Sequence, residues 1–129
     1  MEAKARMKNV PLSARKMRFV VDSIRGKKVA NALNILRFSK REASDWCEKL
    51  LLSAVANWED RLDSAYSADE YDLVVKEAFV DSASSLKRFR PAPHGRAHRI
   101  RKRSNHVTLI VANNLELENE AEVAEATEE

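Results

Sequence analysis

One cysteine, Cys47, is all the sequence contains, so no disulfide can form within the chain and a cysteine-based zinc site lacks its ligands. Glycine is almost as scarce: Gly26 and Gly95 are the only two, too few for a glycine-rich phosphate loop. No run of ~18 apolar residues exists to span a membrane. The basic start "MEAKARMKNVPLSARK" is not followed by the apolar stretch of a signal peptide, so a cytoplasmic protein is expected. Histidine is limited to His94, His98 and His106, none with a carboxylate close in sequence, and the first two lie in a cationic run. No His/Asp/Glu spacing matches a metal site. Enzyme activity is not expected, and neither is a cofactor or a metal.

What is present is charge, strongly segregated. The net charge of +3 conceals four blocks. Met1 to Arg41 holds twelve basic residues against Glu2 and Asp22; Glu42 to Asp81 holds eleven acids against three bases. Ser82 to Leu115 holds eight basic residues and no acid, and Glu116 to Glu129 holds seven glutamates and no base. Without those seven glutamates the net charge rises from +3 to +10. A basic face of this strength suits a polyanionic partner.

With 129 residues, 44% of them apolar, the chain can build one modest core. In "AKARMKNV", Ala3, Ala5 and Met7 alternate with Lys4, Arg6 and Lys8, the period of a strand with one buried and one basic side. Ser13 is placed to cap a helix running to Arg25, whose stripe is Met17, Val20, Val21 and Ile24; Gly26 supplies its left-handed stop. A short helix is read from Val29 to about Arg37. Ser39 and Glu42 then make a capping-box pattern that opens a third helix. Its stripe is Ala43, Trp46, Cys47, Leu50, Leu51, Ala54, Val55 and Trp58, which assigns both tryptophans and the cysteine to the core. "EDRLDSAYSADEYD" loses the period and reads as a loop. Leu73–Val80 and Asn105–Val111 read as strands, the first faltering near Glu77, a place for a bulge. The end of the chain from Asn114 is too poor in apolar residues to dock and is expected to be a disordered acidic tail.

Between the last two strands lies "SSLKRFRPAPHGRAHRIRKR", with no helical period and "PAPHG" at its centre. A long antiparallel hairpin over about residues 82–103 is expected, its arms continuing the flanking strands outward. A two-stranded ribbon is marginal in water without an apolar face to bury. Lys87, Arg88, Arg90, Arg96, Arg99, Arg101, Lys102 and Arg103 are too close together to be neutralised within the chain. Nucleic-acid phosphates would neutralise them, counterion release would supply free energy, and the ribbon would borrow its order from the polyanion. In the first helix Arg15 and Lys16 oppose the helix dipole, a rule broken locally that an external phosphate would mend.

Taken together, "SARKMRFVVDSIRGKKVANALNILRFSKREA", "LLLSAVAN", "VVKEAFVD", "LKRFRP" and "GRAHRIRKRSNHVTLIV" closely resemble the bacterial large-subunit ribosomal protein twenty-two family over about Ala3 to Val111. The resemblance implies an α+β body, in which a three-stranded antiparallel sheet packs against three helices, with a long extended hairpin. It implies a body on the outer surface of the large subunit and a hairpin that passes through ribosomal RNA to line the nascent-peptide exit tunnel. By position, Leu86, Lys87, Arg88, Arg90, Pro91, Ala92, Pro93, His94 and Gly95 would line the tunnel, and Arg96 to Arg103 would pack in RNA. Members altered near Leu86, Lys87 and Arg88 are associated with macrolide resistance. The sequence departs from the family in "SASS" (Ser82–Ser85), where Gly-Pro is common, and in Ala92, where arginine is common.

The expectation is therefore a structural ribosomal RNA-binding protein, cytoplasmic and ribosome-bound. Residues 1–113 would form one domain and residues 114–129 the tail. Its body would dock through Lys4, Arg6, Lys8, Arg15, Lys16, Arg18, Arg25 and Lys27. Partners would be large-subunit RNA, neighbouring large-subunit proteins and the nascent peptide, with no membrane. The alternative is an architectural DNA-binding protein with a proline-tipped basic arm, which would need a dimer to present two arms.

Overall fold

The computed structural model describes residues 2–61 and 72–113. The elements in chain order are β1 (Glu2–Val10), α1 (Ala14–Ile24), α2 (Val29–Phe38), α3 (Glu42–Arg61), β2 (Leu73–Ser82), β3 (Leu86–Pro91), β4 (Ala97–Lys102) and β5 (Asn105–Asn113). β1, β5 and β2 form an antiparallel sheet in that order, and β3 pairs with β4 in a separate two-stranded ribbon. The fold is the expected α+β arrangement. The expected tail and most of the loop read between α3 and β2 lie outside the described residues.

One face of the sheet is apolar because the strands alternate in step. Ala3, Ala5 and Met7 of β1 stand opposite Val111, Leu109 and Val107 of β5, which in turn face Val75, Ala78 and Val80 of β2. The helices cover this face. Met17, Val20, Val21 and Ile24 of α1 are buried, as are Ala32 and Leu36 of α2. From α3 come Ala43, Cys47, Leu50, Leu51, Ala54 and Trp58, with Trp46 and Val55 half-buried at its margins. Trp58 is buried and Trp46 keeps an exposed edge beneath the Lys49 ammonium, 5.9 Å from the ring centre. Each large side chain removed from water in this way contributes ~1.5–3 kcal/mol.

The expected cap of α1 is present: Ser13 Oγ accepts from Lys16 N at 3.4 Å. The capping box of α3 is not. Ser39 Oγ accepts from Arg41 N instead, and the helix starts only at Glu42. Ser39 is extended (φ −76°, ψ 137°), closing α2 rather than opening α3. Glu42 and Asp45 in the first turn of α3 then serve its dipole directly. The register of β2 shifts between Val75 and Glu77, the bulge signalled by the broken alternation. A second shift, between Met7 and Val10, had no such signal. There Asn9 is left-handed (φ 56°) and its N–H donates to His106 Nδ1 at 3.1 Å.

Both edges of the sheet are closed by side chains and turns. Along β2, Arg18 Nη2 donates to Val80 O at 3.1 Å, and Arg25 Nε and Nη2 donate to Ala78 O at 3.0 and 2.6 Å. Gly26, at φ 77°, turns the chain so that its N–H meets Val75 O, while Val75 N–H meets Lys27 O, both at 3.0 Å. Along β1, Asn57 Nδ2 donates to Lys4 O at 3.1 Å, and Arg61 donates to Glu2 O. An open edge would be a template for pairing with another chain, and here its carbonyls are already engaged.

Candidate nucleic-acid interface

The ribbon is six residue pairs long, from Leu86 opposite Lys102 to Pro91 opposite Ala97. At ~3.3 Å per residue each arm spans about 20 Å. Every residue of β3 and β4 is exposed. The pairing explains why. One face carries Leu86, Arg88 and Arg90 with Lys102, Ile100 and His98; the other carries Lys87, Phe89 and Pro91 with Arg101, Arg99 and Ala97. Neither face is dry. Lys87 stands directly opposite Arg101, a like-charge pair that weakens the ladder. Among the described residues no ion pair neutralises a ribbon cation; Asp22–Arg25, Asp72–Lys28, Glu48–Arg37 and Glu2–Lys76 all lie in the body.

The ribbon ends in a single 3-10 turn, Pro93–Gly95, closed by Ala92 N–H to Arg96 O at 2.8 Å, with His94 and Gly95 both left-handed (φ 64° and 70°). Of the nine residues expected at the tip, Pro91 to Gly95 are there, with Arg90 beside them. Leu86 is not: pairing with Lys102 puts it at the root, with Lys87 and Arg88 between root and tip. The ribbon is also not a continuation of β2 and β5. The ladder breaks at Ala83–Ser85 and Arg103–Ser104, where Ala83 N–H to Ser104 O (3.0 Å) and Ser104 Oγ to Ser84 O (2.6 Å) hold the two strands together.

The root faces the start of α1, and this brings together two clusters far apart in sequence. One cleft is lined by Ser13, Lys16, Arg101, Lys102 and Arg103 among others. Its neighbour is lined by Arg15, Arg18 and, again, Arg103. Arg15 and Lys16, which oppose the dipole of α1, are thus joined by further cations rather than by acids. Such a constellation attracts anions.

Other expected contacts are placed differently. Lys4, Arg6 and Lys8 are exposed, the first two on the sheet face away from the helices. That face is of mixed sign, because Lys4 lies across Ile110 from Glu77 and Glu2 pairs with Lys76. The Lys76 ammonium donates to the Glu2 carboxylate and holds it below its ordinary value of 4.5. Arg25 is exposed but spends its donors on the body, its remaining nitrogen Nη1 bound to Asp22 at 2.8 Å. Arg18 is partly so, through Val80 O. The Lys27 side chain is exposed beside the Gly26 turn. Sequence reasoning missed the apolar lining of the root cleft, to which Pro11, Leu12 and Leu86 contribute; the 74 residues between Leu12 and Leu86 leave no local signal.

Among the described residues, no group of three His, Cys, Asp or Glu side chains could hold a metal, and no helix is long and apolar enough to cross a membrane. Burial pushes the Cys47 thiol up to about 12, with its Sγ 3.4 Å from Met17 Sδ. The α3 stripe on which a DNA-bending dimer would have to pair is spent on this chain's own core.

Comparison with known proteins gives a consistent result. A family model described as ribosomal protein L22p/L17e matches residues 5–112. The chain is 58% identical over 110 residues to the large ribosomal subunit protein uL22 of Christiangramia forsetii, covering 85% of this chain and 81% of that one. It is 60% identical over 107 residues to its counterpart in Flavobacterium johnsoniae, covering 83% and 77%. For Porphyromonas gingivalis the identity is 58% over 107 residues, covering 83% and 78%.

Proposed function

Because this chain belongs to the ribosomal protein L22p/L17e family, we propose that its ribbon crosses large-subunit RNA and brings the turn at Pro91–Gly95 to the wall of the peptide exit tunnel. The family is one of structural ribosomal proteins, not enzymes. The chain is accordingly a cytoplasmic, ribosome-bound component of the large subunit, in company with ribosomal RNA and other ribosomal proteins.

One observation carries the finer reading. The ribbon is exposed along both strands, has no acid, and sets Lys87 directly against Arg101 across its ladder. In water its charges and its lack of a dry face both disfavour order. Surrounded by phosphates, the same arginines gain paired, charge-assisted hydrogen bonds. Contacts of this kind read backbone position and RNA shape rather than base sequence. Lys87, Arg88, Arg90, Arg96, Arg99, Arg101, Lys102 and Arg103 would make most of them. Arg15 and Lys16 would clamp a phosphate at the root, and Lys4, Arg6, Lys8 and Lys27 would add peripheral contacts from the body. Arg18 and Arg25 contribute mainly by holding α1 to β2. Residues 1–113 would act as one unit, with the ribbon as its extension.

The test is sedimentation of a lysate followed by footprinting. The chain should travel with large subunits through a high-salt wash, and backbone cleavage of the RNA should be blocked along a path contacted by the ribbon. Protection confined to the body's footprint, with the ribbon free, overturns the proposal.

A further inference from the structure

We infer that the cleft between the ribbon root and the start of α1 holds one unstacked RNA nucleotide, its base inward and its phosphates at the rim. This rests on the RNA-binding reading above and names a site within it. The cleft has a volume of about 700 Å³, within the ~300–1,000 Å³ range of small-ligand sites. Two chemistries meet in it. Pro11 and Leu12 from the turn after β1 line it together with Leu86 from the ribbon, and so do Lys16, Lys102 and Arg103, with no acid in the lining.

A phosphate alone answers only the cations and leaves the apolar side wet. Leu86 is 57% exposed in a ribbon that has few apolar residues. Duplex RNA keeps its base faces stacked on one another, so it has nothing apolar to offer a concave wall. An unstacked nucleotide brings a flat, weakly hydrated base and a charged backbone in one unit, and both halves of the cleft are answered.

The walls are held before any ligand arrives. Asn105, fully buried at the start of β5, donates from Nδ2 to Leu12 O at 2.7 Å. Leu12 N–H donates to Val10 O at 2.8 Å, and Ser104 Oγ donates to Ser84 O at 2.6 Å on the ribbon side. A pre-formed wall lowers the ordering cost of binding.

Diazirine side chains placed singly at Pro11, Leu86 and Arg99 of the full chain, incorporated into large subunits and irradiated, test this. Leu86 and Pro11 should crosslink to the base of one and the same nucleotide, and Arg99 to RNA elsewhere. Leu86→Ala should expose that base to base-directed modification and weaken binding to large-subunit RNA about tenfold with an unchanged salt slope. Crosslinks from Leu86 and Pro11 to protein, or to scattered riboses of a duplex, overturn the inference while Arg99 still reaching RNA leaves the function intact. No RNA crosslink from any of the three overturns both.

Discussion

Replacing Arg99, Arg101 and Arg103 together with Gln removes three cations while keeping length and polarity. In the free chain the change should be nearly silent. All three side chains are exposed and none forms an ion pair among the described residues, so stability should stay within about 0.5 kcal/mol. With RNA the consequence should be large. Each phosphate contact contributes about −0.7 to −0.9 to the slope of log K against log salt, so three lost contacts flatten it by about 2 to 3. At 0.1 M salt that slope difference amounts to ~2–3 decades of affinity, or ~3–4 kcal/mol, and it shrinks to nothing as salt approaches 1 M. Fluorescence anisotropy against a labelled large-subunit RNA fragment, titrated at several potassium chloride concentrations, reads slope and intercept separately. A weaker complex with an unchanged slope would refute the reasoning, because the arginines would then act by packing rather than by charge. A large drop in stability of the free chain would refute it too, showing that the ribbon holds the body together.

Arg25→Ala removes the donors from Ala78 O on the edge of β2, and urea unfolding should show a loss of about 1–2 kcal/mol with a tendency to self-associate; an unchanged midpoint would mean the edge needs no cover. Cys47, with its thiol pushed up to about 12, is thiolate in roughly one molecule in a thousand at pH 9, so a thiol reagent should react only after denaturant is added. Prompt reaction of the folded chain would show that the sulfur is not sealed beside Met17.

The helices were legible because their stripes are long and regular: the α3 run from Ala43 to Trp58 cannot be drawn on any other period. Strands β1 and β5 were legible for the same reason, since Ala3–Ala5–Met7 and Val107–Leu109–Val111 each alternate cleanly, whereas their assembly into a three-stranded sheet followed only from the family resemblance. What the sequence concealed is long-range and polar. Arg18 and Arg25 look like any other exposed cations, and only a partner strand 62 and 53 residues away turns them into covers for a sheet edge. Asn105 reads as the polar first residue of a strand, yet it is fully buried and tied to a carbonyl 93 residues earlier. Ser39 misled because S-x-x-E satisfies a helix start only when the backbone between them is helical, and here the serine closes the previous helix. In the ribbon, composition pointed to a polyanionic partner, but only the register revealed that Leu86 belongs to the root.

The gap in the ladder at Ala83–Ser85 and Arg103–Ser104 makes the molecule two separately specified parts, joined like a blade to a handle. Two hydrogen bonds tie blade to handle across that gap in place of a continuous ladder, and the solvent-facing residues of the blade carry no packing duty in the handle's core. A change of charge in the blade therefore leaves the globule's core contacts untouched.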